Sequence, residues 1–179
     1  MINGENSYKR YLEGDESAFD EVLELYFNNL TLFINGYLND VHASEDVAVD
    51  TMLELIVHKK RFDFRSSLKT YLFSIARHKA LDYVKKHRRV LPVSPDEIEI
   101  ADRSSLEQDV LESEEKRRLH AALLKLDVDL RTAVHLVYIE GLSYKEASGV
   151  MKKSHKQLDN LIVRAKKALK KELILAEKE

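Results

Sequence analysis

Two capping signals eleven residues apart, Ser143-Tyr144-Lys145-Glu146 and Ser154-His155-Lys156-Gln157, constrain this chain more than any other feature. In each, the serine side chain can accept from the backbone N–H three residues on, and the Glu or Gln side chain can accept in return from the serine's own N–H. Each therefore marks the first turn of a helix. The first helix has room for only about two turns, ending near Met151, before the second signal opens a longer one. Ahead of both, residues 132–140 are apolar on one side through Ala133, Leu136 and Val137 and stop at Gly141, a residue suited to a left-handed terminus. A short helix, a tight turn and a longer helix at this spacing predict a helix-turn-helix.

The longer helix carries two faces. Leu158, Leu161, Ile162, Ala165 and Leu169 form its inner stripe. In a helix-turn-helix, the N-terminal residues of the second helix reach base edges in the major groove. Here those are His155, Lys156, Gln157, Asp159 and Asn160. Gln and Asn match adenine, Lys matches guanine and Asp accepts from the cytosine amino group. Gln157 has two competing uses, because a side chain that closes a capping box is not fully available to a base. Arg164, Lys166, Lys167, Lys170 and Lys171 are better placed for phosphates, which add affinity without sequence choice. On its own this stretch also fits a plain helical hairpin with a lysine-rich exposed side.

The rest of the chain is equally helical in pattern. Only 5 Gly and 2 Pro interrupt 179 residues, which favours an all-α protein large enough for two small domains. Phe19, Val22, Leu23, Tyr26, Leu30, Phe33, Ile34 and Tyr37 recur at three- and four-residue steps along one helix, with Asp15 or Ser17 as its cap and Gly36 near its end. Ser44, followed by Glu45 and Asp46, marks a second helix running to about His58 with Val47, Ala48, Met52, Leu55 and Ile56 inward. A polar stretch over 59–67 carries Phe62 and Phe64. A third helix follows, burying Leu68, Leu72, Ile75, Ala76 and Val84 and growing basic toward Arg89. Pro92 and Pro95 end the pattern, and periodicity returns at Leu106, Val110, Leu119, Leu123 and Leu126. The boundaries that follow are a domain over 1–89, a flexible acidic linker over 90–105 and a helix-turn-helix domain over 106–179.

Charge is segregated along these pieces. Residues 77–89 hold six basic side chains against Asp82, residues 152–171 hold eight against Asp159, and residues 96–115 hold nine acids against Arg103. Two basic blocks flanking an acidic spacer point to two contacts with a polyanion. The absence of cysteine excludes disulfide scaffolds, thiolate metal sites and cysteine nucleophiles. No apolar run is long enough for a bilayer, and the first ten residues, MINGENSYKR, do not resemble a secretion signal, so a cytoplasmic protein is expected. There is no phosphate-binding glycine loop, no His-Glu-x-x-His pair and no Gly-x-Ser-x-Gly elbow. The seven histidines lack metal-ligand spacing. An enzyme, a cofactor, a metal and a small-molecule substrate are therefore not expected.

The stretches GLSYKEAS and SHKQLDNLIVRAKKALKK resemble the fourth conserved region of sigma factors, which contacts the minus-thirty-five promoter element and a polymerase flap. GDESAFDEVLELY, SEDVAVDTMLEL and FDFRSSLKTYLFSIARHKALDYVKKHRR resemble the second conserved region. Two helical regions on a linker, with nothing before or between, are the architecture of the extracytoplasmic-function group of the sigma-70 family. The resemblance spans roughly residues 7–172. It implies that Glu45, Asp46, Val49, Asp50, Met52 and Leu53 bind core RNA polymerase. It implies that Lys69, Tyr71, Arg77, His78, Lys79, Asp82, Lys85, Lys86, Arg88 and Arg89 engage and open the minus-ten element, Phe73 being a candidate for either this site or the core. Aromatic stacking and cationic contacts to single strands are the physical means. Ser154, His155, Lys156, Gln157, Asp159, Asn160, Arg164 and Lys167 would then read the minus-thirty-five element, and an anti-sigma factor would be a third partner beside the polymerase and promoter DNA. Val49 stands where the family has Gln, Tyr71 where it has Trp, His78 where it has Asn, and Asp159 and Leu161 where many relatives are basic. The same pattern would serve a sigma-like interaction protein without promoter recognition, or a stand-alone helix-turn-helix regulator.

Overall fold

The structure, a computed structural model, describes residues 3–90 and 114–176. They form eight α-helices and no strand, grouped in two compact units on either side of residues 91–113. The expected linker (beyond Val90, which closes a helix) and the periodic positions Leu106 and Val110 lie outside the described residues.

The first unit contains α1 (Gly4–Leu12), α2 (Ala18–Leu38), α3 (Val41–Val57), a single 3₁₀ turn (Lys59–Arg61) and α4 (Leu68–Val90). Its core gathers Leu30, Phe33 and Ile34 of α2, Ala48 and Leu55 of α3, and Leu68, Leu72, Phe73 and Ala76 of α4, all at 2% exposure or less. Each large side chain removed from water here stabilises the unit by about 1.5–3 kcal/mol. Phe73 belongs to this core, its ring edge-on to Phe33 at 5.0 Å, while Ile75 and Val84 are only half-buried.

Two local expectations change, and one helix is added to them. α1 was not legible as a helix; Asn3 caps it, its side chain accepting from the Glu5 and Asn6 N–H groups. α2 does not stop at Gly36 but at Asn39, whose φ of 51° provides the left-handed exit. Asp40, not Ser44, caps α3 by accepting from the Ala43 N–H at 2.9 Å. Ser44 is then one turn inside, fully buried, and donates to the Asp40 carbonyl at 2.6 Å.

The second unit contains α5 (Glu114–Leu124), α6 (Val128–Val134), a π-turn (His135–Ile139), α7 (Tyr144–Met151) and α8 (His155–Ala176). Leu123, Leu130, Leu136, Val150, Met151, Leu158 and Ile162 fill its core. Leu119, an expected inward position, is 41% exposed. In the π-turn the Glu140 N–H reaches back five residues to the His135 carbonyl at 2.9 Å. The same wide turn brings Glu140 Oε1 to 3.2 Å from His135 Nε2, so the almost fully buried carboxyl has a polar partner.

Candidate nucleic-acid interface

Both capping boxes form. Ser143 Oγ accepts from the Glu146 N–H at 3.2 Å, and Glu146 Oε2 accepts from the Ser143 N–H at 2.9 Å. Ser154 Oγ accepts from the Gln157 N–H at 3.2 Å, and Gln157 Oε1 accepts from the Ser154 N–H at 2.8 Å. Between them the chain turns at Lys152, whose φ of 52° ends α7. Gly141, with φ of 69°, makes the corresponding exit before α7. The helix-turn-helix is therefore fixed by short-range bonds at each of its corners.

α8 buries Leu158, Leu161, Ile162 and Ala165 and exposes Ser154, His155, Lys156, Gln157, Asp159, Asn160, Arg164 and Lys167. Every residue expected to meet the minus-thirty-five element is thus at the surface. Leu161, at 8% exposure, is a core position, so its lack of charge removes nothing from the outer face. Gln157 Oε1 accepts from the Ser154 N–H in the capping box, which turns the amide toward the backbone, so a bidentate match to adenine competes with the cap in this conformation. Not every lysine of the block faces outward unengaged. Lys153 pairs with Asp129 at 3.0 Å, and Lys166 lies over the Tyr138 ring at 4.9 Å, where the hydrogen bond with Tyr138 raises its pKa. The sequence reading missed Val163, 60% exposed and in line with Lys156, Asn160 and Lys167. Its position seven residues after Lys156 was the available signal, and an apolar side chain there suits a thymine methyl group.

In the first unit, α4 carries the other basic block. His78, Asp82, Lys85 and Lys86 are exposed, while Lys69, Tyr71, Arg77 and Lys79 are half-buried. His78 and Asp82 face each other at 3.6 Å one turn apart. Lys79 reaches Glu54 of α3 at 3.7 Å, a carboxylate that also holds Arg61 at 2.7 Å, so its charge is partly committed within the unit. The side chains of Arg88 and Arg89 lie outside the described residues. Tyr71 sits 5.0 Å from Phe62, and burial, followed by the Glu54 charge, raises its hydroxyl pKa. In the loop before α4, Phe64 is 38% exposed at a φ of 59°, a left-handed conformation rare for an aromatic residue.

On another side of this unit, α2 and α3 leave a groove of about 540 Å³ lined by Phe19, Leu23, Phe27, Val49, Met52 and Leu53 among others. Of the residues expected to bind polymerase, Asp46, Val49, Asp50 and Leu53 are exposed and Glu45 is half-buried. Met52 is 3% exposed and forms the groove's floor, so it acts through packing more than by reaching out. No helix among the described residues is long and apolar enough to cross a membrane, and no cluster of three or more acidic or histidine side chains there could hold a metal ion.

Two helical units, one ending in a helix-turn-helix with an exposed basic face and the other presenting a basic helix and, between α2 and α3, an apolar groove, define a modular transcription factor. Residues 23–90 match the family description "Sigma-70 region 2" and residues 116–169 match "Sigma-70, region 4". The chain is 30% identical over 153 residues to the ECF RNA polymerase sigma factor SigM of Bacillus subtilis, covering 86% of this chain and 93% of that one. It is 28% identical to SigX of the same organism, covering 92% and 88%. The fold resembles that of the sigma factor RpoE in its complex with the anti-sigma factor NepR from Bartonella quintana, with a TM-score of 0.67 at 24% identity over 87% of this chain and 96% of that one. CnrH in complex with the cytosolic domain of CnrY matches at a TM-score of 0.66 and 21% identity, over 97% of both chains. The chain belongs to the sigma-70 family and is an RNA polymerase sigma factor of the extracytoplasmic-function group.

Proposed function

We propose that this sigma factor works by binding alone, in the cytoplasm, with a separate task for each unit. Residues 1–89 dock on core RNA polymerase through α3 and its groove, and engage the minus-ten element through the 58–67 loop and α4. Asp46, Val49, Asp50 and Leu53 make the polymerase contact, with Met52 beneath them. Tyr71, Arg77, His78, Lys85 and Lys86, with Lys69, Lys79, Asp82, Arg88 and Arg89 around them, hold the opened strand. Residues 106–179 set α8 into the minus-thirty-five major groove, and 90–105 join the two. An anti-sigma factor covering the apolar groove keeps the chain from polymerase until it is needed. SigM and SigX, named RNA polymerase sigma factors, and the sigma factor RpoE, seen in complex with the anti-sigma factor NepR, support this reading.

The observation that carries it is the exposed row of Lys156, Asn160, Val163, Arg164 and Lys167 on a helix that a capping box opens, the helix before it being opened by another. The protein with core polymerase is expected to start transcription at defined sites in a promoter library, and the protein alone to bind duplex DNA weakly. Tight sequence-specific binding by the isolated chain would point instead to a stand-alone regulator. Polymerase binding with no initiation at any site would point to an interaction protein.

A further inference from the structure

α1 lies ahead of the region 2 match, which begins at residue 23, yet it grips both ends of the loop between α3 and α4. At the entry, the Tyr8 hydroxyl donates to the Leu55 carbonyl at 3.0 Å. That carbonyl is among the last four of α3 and has no acceptor role left inside the helix. At the exit, Glu5 Oε1 accepts from the Leu68 N–H at 2.9 Å. Leu68 is the first residue of α4, so a carboxylate from another helix sits at the positive end of the α4 dipole. Within the loop the contacts are reciprocal. Lys9 of α1 lies over the Phe64 ring at 5.2 Å, and Lys59 of the loop lies over the Tyr11 ring of α1 at 4.3 Å. The Tyr8 ring stands 6.0 Å from Phe62 and 6.3 Å from Phe64.

α1 is itself anchored from behind. A Cβ on Gly4 would fall inside the Tyr26 phenol, so only glycine permits this close approach to α2. Ser7 donates to Glu21 at 2.6 Å, and Arg10 reaches the same carboxylate at 3.0 Å. The element that needs such support is Phe64. A bulky residue in a left-handed conformation persists only where its surroundings hold it there, and such strain gathers at functional positions. Its exposed ring, with the exposed cation Lys9 beside it, is the kind of platform on which an unpaired base stacks.

We propose that α1 is a brace for the 58–67 loop, and that Glu5, Tyr8 and Lys9 are positioning residues that hold Phe64 at the surface to meet an unpaired promoter base. This rests on the reading of the loop and α4 as the minus-ten contact. The brace explains why residues outside the region 2 match make the loop's end bonds and its cation–π contacts.

The test uses holoenzyme assembled from core polymerase and the full chain, on a promoter carrying 2-aminopurine in the minus-ten non-template strand. The unstacking signal should fall about tenfold in rate for Lys9→Ala combined with Glu5→Gln. Lys9→Arg, which keeps a cation over the ring, should restore most of the loss from Lys9→Ala alone. Affinity for core polymerase should not change, because α3's outer face is untouched. Should the double variant lose its helical circular dichroism, the single exposed Lys9→Ala replacement carries the test. A wild-type signal from the Lys9 and Glu5 variants, with the signal lost in Phe64→Ala, would overturn the brace and keep the base contact. An equal loss in Lys9→Arg and Lys9→Ala would also overturn it. A wild-type signal from Phe64→Ala itself would overturn the minus-ten reading on which the brace depends.

Discussion

Replacing Tyr8 by Phe removes one hydroxyl and leaves a ring that is fully buried, so its effect on stability is worked out from two facts. The hydroxyl donates to the Leu55 carbonyl at 3.0 Å, and its removal strands a buried acceptor, costing about 1–3 kcal/mol at neutral pH. Burial, and then the neighbouring Tyr71 and Tyr11, push the Tyr8 pKa from 10.0 up to about 12. The folded state therefore keeps the proton longer than the unfolded chain does. The stabilising contribution is whole below pH 10.0 and is lost as pH rises toward 12. The loss is steepest, at about 1 kcal/mol per pH unit, only where the unfolded phenol is ionised and the folded one is not. Phe carries no such proton, so the gap between wild type and Tyr8→Phe should narrow by about 1 kcal/mol between pH 10 and pH 11, the unfolded phenol being already half ionised at pH 10. Urea titrations of both full-length proteins at pH 8, 10 and 11, followed by far-ultraviolet circular dichroism, measure that gap, since every other titrating group is common to both. A gap that stays constant across this range would refute the protonated, buried phenol. No gap at pH 8 would refute the bond to Leu55.

Three further outcomes are expected. Ser143→Ala removes the acceptor for the Glu146 N–H and should cost the second unit about 1 kcal/mol, seen as faster hydrogen exchange at the first amides of α7. Arg164→Ala with Lys167→Ala should weaken promoter binding by the holoenzyme and reduce the slope of log K against log salt by about 1.8, or about 0.9 per phosphate; an unchanged slope would remove both from the phosphate contact. Hydrogen bonds from Ser7 and then Arg10 hold Glu21 below its ordinary 4.5, and those from Ser17 and then Arg10 hold Asp15 below its ordinary 3.8. Their support of the α1–α2 corner is present above those values and lost as pH falls below them, so amide protection in α1 should drop on acidification, and Arg10→Ala should blunt that drop.

What the sequence made legible follows the range of the forces involved. The two capping boxes close bonds over three residues, and the backbone needs nothing else to obey them. The inner stripe of α8 and the exposed row opposite were readable for the same reason. Where two local solutions compete, the outcome rests on the neighbourhood: Asp40 wins the α3 cap because Asn39 turns the chain just before it, which draws Ser44 into the first turn. α1 has nine residues and buries only Gly4, Ser7 and Tyr8 of them, too few for a periodic stripe to stand out, though Asn3 was a usable cap signal. Pairings across the fold were beyond reach. Nothing near Lys79 or Lys153 in the chain indicates that Glu54 and Asp129 engage them, and only tertiary packing makes Phe73 core.

The π-turn of His135–Ile139 holds one residue more than an α-helix would need to cover the same ground. Removing a single residue there would let the ordinary four-residue ladder close over the same ground, so the chain after it would keep its direction. What would be lost is the five-residue reach of the Glu140 N–H and the approach of the buried Glu140 carboxyl to His135. In evolutionary terms the extra residue is an insertion that the wide turn absorbs. A one-codon deletion between 135 and 139 is expected to cost stability through the buried Glu140 and to leave the helix-turn-helix behind it aimed as before.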